Sequence, residues 1–227
     1  MIDRIDYDLA RLRRYSQPWG GQFVVTLRAK KLDVWTAAFL ARHPDAVVLH
    51  LGCGLDSRVF RLDVPAGVDW YDVDVPEVMV GRRKLYEEQP RYRMIGSSVT
   101  DPGWLEEIPA DRPVLVVAEG LLPYLVEADV RGLLQRITDR FARGGELLFD
   151  GVPRWTPTVT RFFRSGIGDG SELEAWNPRL RVVDRVSALQ EWATIPLRPQ
   201  RVAFRVFAAL PLSRDYVRLF RYEIRAA

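Results

Sequence analysis

The chain has 227 residues, 48% of them hydrophobic and 28% charged, with a net charge of only +3. That length suits one folded domain, the composition excludes a disordered chain, and arginines interleaved with acids from Arg4 to Arg225 argue against nucleic acid as a partner. One cysteine and two histidines exclude a disulfide framework and a multi-cysteine or His-rich metal site, and no apolar run approaches the ~18 residues of a membrane span.

In chain order, residues 1–20 are too charged for a signal peptide, so a reducing, cytoplasmic setting is expected. Residues 2–15 and 22–43 carry helical apolar spacing, the second with Val25, Leu32, Trp35, Phe39 and Leu40 near one face. Residues 46–51 are almost uninterruptedly apolar, as in a strand buried on both faces of a parallel sheet. A second strand is predicted over 68–73 and a helix from Pro76, where proline suits the first turn. A weaker strand at 91–95, a short helix around Trp104 and a buried strand at 113–118 follow. Residues 127–143 form the best helix, closed by Gly144-Gly145, and 146–150 the next strand. Residues 216–224 alternate charged and apolar side chains and read as an antiparallel edge strand.

Strands alternating with helices predict an α/β fold, a doubly wound parallel sheet with helices on both faces. The expected layout is one domain over 1–227: helices to residue 45, a cofactor-binding half over 46–150, then substrate-side loops near 155–178 and 193–215 and the last strands. Ligands of such sheets bind outside the carboxyl ends of the strands, so the segments after residues 51, 73 and 118 are the informative ones.

The first strand runs into His50-Leu-Gly-Cys-Gly-Leu-Asp-Ser-Arg58. Gly52 and Gly54 permit a sharp turn and close approach of a ligand to the main chain. A dinucleotide site would carry a third glycine where Ser57 stands, and Asp56 would repel a pyrophosphate at the next helix. A phosphate-free cofactor with a positive centre fits better, and S-adenosylmethionine is the common one. Cys53 reads as a small packing residue of the turn. Asp74, twenty residues after Gly54, holds the place of the acid that accepts ribose hydroxyls, with helix capping as its other reading. Asp72 is expected on the opposite face, as a surface charge or a helix partner. Glu119, at a strand end beside a glycine, suits a pocket better than a core. Tyr124 either aims a phenol into the same crevice or packs under the loop. His50 is expected in a core or supporting role, Arg58 and Arg61 either to attract an acid or to lie on a helix surface, and 166–170 to form a mobile glycine loop.

These segments together resemble the leucine carboxyl methyltransferase family, in its bacterial branch. The matching stretches include IDYDLARLRR (5–14), LRAKKLD (27–33), VVLHLGCGLDSRVFRL (47–62), WYDVDVPEVMVGRRKLY (70–86) and VLVVAEGLLPYL (114–125). The resemblance implies a Rossmann-like class I methyltransferase fold that uses S-adenosylmethionine, commonly with a carboxylate as methyl acceptor. By motif, Arg28 corresponds to the basic residue that holds the cofactor carboxylate, Gly52 to the glycine that meets the cofactor, and Asp74 to the ribose acid, with Val75 beside it. Ser98 and Val99 match the pair beside the adenine, although eukaryotic members carry an acid at the former. Glu119 matches the acid after the fourth strand. Members carry additional sequence ahead of a segment like 5–14, so a reduced cover over the site is expected here. The acceptor is expected to be a small molecule or a peptide, with no membrane partner. A phenolic O-methyltransferase and a non-catalytic S-adenosylmethionine-binding protein are the alternatives.

Overall fold

The computed structural model describes residues 21–227, so the helix expected over 2–15 lies outside the described residues. Helix α1 (Gly21–Arg42) leads into β1 (Val47–Leu51). Then come α2 (Arg58–Arg61), β2 (Asp69–Asp74), α3 (Pro76–Arg83), β3 (Tyr92–Gly96), α4 (Gly103–Glu106) and β4 (Val114–Ala118). Helix α5 (Glu127–Arg140) precedes β5 (Gly145–Gly151), and the remainder holds α6 (Thr156–Val159), α7 (Ser171–Trp176), β6 (Leu180–Ser187), α8 (Arg198–Ala209), α9 (Pro211–Arg214) and β7 (Arg218–Ile224).

The strands form one seven-stranded sheet in the order β3-β2-β1-β4-β5-β7-β6. The first five are parallel, and β7 runs antiparallel to both β5 and β6. β1 and β4 are buried along their whole length, as uninterrupted apolar runs require. Their alternate residues serve two layers. Leu49, Leu51, Val114 and Val116 pack with Val130, Leu133 and Ile137 of α5, while Val48, Leu115 and Val117 pack with Leu32, Trp35 and Phe39 of α1 and Met79 of α3. Val25, expected on the same stripe of α1, is 53% exposed.

Three expectations for the C-terminal third are corrected. β7 is antiparallel but not the edge; β6 occupies that position. The charges of β7 do not all face water, because Arg221 donates from Nε and Nη2 to the two oxygens of Glu146 on β5, at 2.8 Å each. The region expected as loops over 193–215 contains α8 and α9. The glycine segment 166–170 is also packed rather than open: Ile167 is in the core, and the Gly168 and Gly170 amides donate to Glu172.

Candidate active site

β1 ends in a turn that needs two residues at positive φ, and glycines occupy both: Gly52 at 61° and Gly54 at 52°. The Gly52 amide donates to the Val73 carbonyl of β2 at 2.8 Å, which pins the turn against the neighbouring strand. Asp74, the last residue of β2, clasps the same turn. Its Oδ2 accepts from the Gly54 amide and its Oδ1 from the Val75 amide, both at 2.8 Å. Each carboxylate oxygen keeps a lone pair for a ligand hydroxyl. A Cβ at Gly54 would meet nothing within 4 Å, so open space lies beside the turn.

Ser98 and Val99 follow β3, whose Gly96 pairs with Asp74, so they stand at the strand end next to it. Ser98 is exposed, with Oγ 2.8 Å from the Thr100 hydroxyl, whereas the Val99 side chain is buried. Val75 is 39% exposed. Cys53 turns its side chain into the core, and burial, with Asp72 nearby, pushes its thiol far up, away from nucleophilic use.

On the other side of the turn lies a connected set of ion pairs. Arg28, on α1, donates from Nε to Glu119 Oε1 and from Nη1 to Asp150 Oδ2, both at 2.8 Å. It thereby ties the carboxyl ends of β4 and β5 to the helix. Burial opposes the Arg28 charge, and Asp150 and Glu119 outweigh it, so the guanidinium is held more firmly protonated than usual. Burial raises the Asp150 carboxyl against the pull of Arg28. The other Glu119 oxygen accepts from Arg58 Nη2. Arg58 itself is fully buried and donates from Nε to Asp33 of α1 at 2.8 Å. Asp56 is engaged by Arg61 and Arg58; burial acts to raise its carboxyl, but these cations bring it below the usual carboxylate range.

Behind this set sits a second buried knot. Asp72 accepts from Trp70 Nε1 at 2.9 Å, from the Tyr92 hydroxyl at 2.6 Å and from Arg82. His50 bridges the two groups: its Nδ1 is 3.0 Å from Asp72 Oδ1 and its Nε2 is 3.2 Å from Arg58 Nη1. A guanidinium can only donate, so Nε2 accepts and Nδ1–H donates to Asp72. This confirms the supporting role read for His50. Of the two readings of Asp72, the helix partner holds, since Asp72 is wholly buried against Arg82 of α3, and the surface charge does not. Nor is it on the face opposite Asp74, because residues two apart on a strand share a face. Tyr124 is 51% exposed with its ring 5.3 Å from that of Phe163. No hydrogen bond among the described residues joins its phenol to the cluster.

Asp150, Asp33 and Arg82 are cluster members that the sequence reading did not pick out. A signal for Asp150 existed: Glu119-Gly120 and Asp150-Gly151 are the same acid–glycine pair at two adjacent strand ends.

Across the turn and both knots, six carboxyls (Asp33, Asp56, Asp72, Asp74, Glu119, Asp150) stand against four guanidinium groups. An excess of acid suits a cation and repels a pyrophosphate, so these residues fit a sulfonium cofactor. Such a turn and acid, on a parallel sheet closed by an antiparallel seventh strand between the fifth and sixth, define a class I S-adenosylmethionine-dependent methyltransferase. The model of the leucine carboxyl methyltransferases matches residues 13–138, and the chain belongs to that family. It is 45% identical to the tetracenomycin polyketide synthesis O-methyltransferase TcmP of Streptomyces glaucescens, over 98% of this chain and 85% of that protein. It is 34% identical to the S-adenosyl-L-methionine-dependent methyltransferase dpfgK of Gibberella zeae, over 76% of this chain and 65% of that one. A crystal structure from Thermobifida fusca, 19% identical, shares the fold with a TM-score of 0.66 over 89% of this chain and 82% of its own.

Proposed function

We propose that the protein moves a methyl group from S-adenosylmethionine to a carboxylate oxygen of a small, polyketide-like acceptor, forming a methyl ester in a reducing, cytoplasmic compartment. In that transfer a carboxylate lone pair forms the new C–O bond while the C–S bond breaks onto sulfur, so the two opposite charges cancel and no proton moves. In this reading Asp74 holds the ribose hydroxyls, the Gly52–Gly54 turn lets the cofactor lie against the main chain, and Ser98 and Val99 flank the adenine. Arg28, oriented by Glu119 and Asp150, secures the amino-acid end, and Tyr124 helps to place the acceptor.

The observation that carries the choice of carboxylate is His50. Both of its ring nitrogens are occupied, by Asp72 and Arg58, and the side chain is buried. A phenol, with a pKa near ~10, would call on a base; a carboxylate, ionised above about pH 5, needs only position and orientation. The relative named for polyketide synthesis supports the acceptor class.

The test is the product. A methyl ester releases methanol in mild alkali, whereas an aryl methyl ether survives. Single-turnover transfer is expected to be level from about pH 6 to 8 for a carboxylate and to climb steeply with pH for a phenol. An alkali-stable product replaces the carboxylate reading with the phenolic one. Absence of S-adenosylhomocysteine binding in calorimetry would overturn both.

A further inference from the structure

We propose that a cavity at the outer end of β6 is a second ligand site, apart from the glycine turn, and that it takes an organic phosphate monoester as its dianion. The cavity measures ≈ 520 Å³, inside the ~300–1,000 Å³ range of small-molecule sites. Arg185, Arg214, Arg218 and Asp215 line it, so three guanidinium groups stand with one carboxylate. It lies where Ser187, the last residue of β6, pairs with Arg218, the first of β7. β6 is four places from β1 in the sheet, which sets the cavity roughly 19 Å from the strand that carries the turn.

Asp215 does not balance the three cations. It stands 3.4 Å from Arg214 Nε and Nη2 and 3.6 Å from Arg218 Nη2, against about 2.7–2.9 Å for a charge-assisted hydrogen bond. Arg221 and Glu146, farther along β7, show the tight form at 2.8 Å. Asp169 gives no further compensation, because its carboxylate accepts from the amide and hydroxyl of Ser171. Arg185 and Arg218 are held instead by main-chain carbonyls, of Asp169 at 2.9 Å and of Gly168 at 2.6 Å. A neutral carbonyl fixes a guanidinium in place without cancelling its charge, and each guanidinium has five N–H groups. The cavity thus holds a surplus of two positive charges with donors to spare. A phosphate monoester brings close to two negative charges at neutral pH and three acceptor oxygens.

The remaining walls call for an organic substituent on that phosphate. Val186, Leu189, Ala208 and the Trp192 ring are apolar surface on the same cavity, and a phosphate ion alone would leave most of them against water. Two more donors lie among them: no hydrogen bond among the described residues uses Trp192 Nε1 or the Gln190 side-chain amide. The lining comes from β6, the 192–194 turn, α8, α9 and β7. A ligand there bridges both ends of the segment that joins the last two strands, and so stabilises the fold by linkage.

Calorimetry with phenyl phosphate in a phosphate-free buffer near pH 7.5 provides the test. The comparisons are phenyl sulfate, its singly charged analogue, and inorganic phosphate. Phenyl phosphate is expected to bind about tenfold more tightly than either, and Arg185→Gln and Arg214→Gln are each expected to weaken it about tenfold. Trp192→Ala is expected to bring it down to the affinity of inorganic phosphate. Arg181→Gln, on β6 but outside the cavity, is expected to leave it within about twofold, as is the S-adenosylhomocysteine affinity of every variant. Should Arg185→Gln lose its melting transition, Arg214→Gln on exposed α9 carries the comparison. No binding of phenyl phosphate to wild type, or an equal loss in Arg181→Gln and Arg214→Gln, overturns the site. Equal affinity for phenyl sulfate overturns the dianion, and equal affinity for inorganic phosphate overturns the organic substituent. Competition with S-adenosylhomocysteine overturns the separation from the glycine turn.

Discussion

Asp72 and Asp74 show how two carboxylates on one strand, two residues apart, come to different tasks. Asp72 is saturated with protein partners, its oxygens sharing Trp70, Tyr92, His50 and Arg82. Asp74 sits one step past the covered part of β2, spends one bond per oxygen on the glycine turn and keeps the rest for a ligand. Asp74→Ala is therefore expected to weaken S-adenosylhomocysteine binding by roughly 1.5–3 kcal/mol, the range for hydrogen bonds to a charged group, with the melting transition kept. Calorimetry beside a thermal melt checks both halves. An unchanged dissociation constant would reduce Asp74 to a clasp for the turn. The place of Asp74 beside the turn was legible because a glycine turn and an acid at a fixed separation form a local pattern. Asp72 and Arg82 are ten residues apart but meet only once β2 and α3 have packed, and nothing in either's neighbours announces it.

The glycine turn and the helices that flank it work as elements rather than as single side chains. At Gly52 an added Cβ would come within 3.0–3.3 Å of Leu121, while at Gly54 it would enter open space; both positions need positive φ. Positive φ costs a non-glycine residue about 1–2 kcal/mol at either site. Gly52→Ala is expected to add overpacking to that strain and to lower the urea midpoint more than Gly54→Ala. Gly54→Ala is expected to lose cofactor affinity out of proportion to its stability, because its methyl would enter the open space beside the turn that the proposed cofactor fills. Urea titrations paired with S-adenosylhomocysteine calorimetry separate the two, and equal ratios of the two losses would contradict the assignment. Among the elements, β1, β4 and α5 could be read because their periods are unbroken. β6 escaped because an irregularity between Val182 and Asp184 breaks the alternation a strand needs, and α8 because Pro196, Pro199 and Pro211 resemble loop punctuation. Pro199 in fact lies in the first turn of α8, where proline is tolerated.

Across the fold, the buried ion pairs couple stability to pH with a definite sign. Asp56 and Asp72 are held below the ordinary carboxylate range although burial acts to raise both, Arg61 prevailing at Asp56 and His50 with Arg82 at Asp72. Below about pH 4 the unfolded chain takes up protons that these two groups refuse in the native state, so stability falls as pH falls. Asp150, raised by burial, acts oppositely: the unfolded chain loses this proton near pH ~4 while the native carboxyl holds it to higher pH, so its contribution declines as pH rises from there. Wild type is therefore expected to lose stability below pH 4 more steeply than Asp72→Asn. At neutral pH that variant is expected to be less stable by about 3–5 kcal/mol, because it leaves the Arg82 charge buried and uncompensated. Urea midpoints from pH 2.5 to 7 read both effects, and parallel acid limbs would show that Asp72 does not carry the dependence.

The parallel sheet, its central strands, the glycine turn and the acid that ends β2 were all legible from residue order, since each rests on period or spacing within a few tens of residues. Folding alone decided the place of β7 between β5 and β6, because alternating charge looks the same whether it faces water or, as with Arg221 and Glu146, an adjacent strand. It likewise decided that Arg28, Glu119 and Asp150, separated by 91 and 122 residues along the chain from Arg28, form one ion-paired group. An apolar cavity walled by Val24, Val25, Trp155, Phe204, Phe207 and Tyr216 is also a product of folding. Its walls come from α1, the segment after β5, α8 and the start of β7, and no local pattern encodes the distance between them.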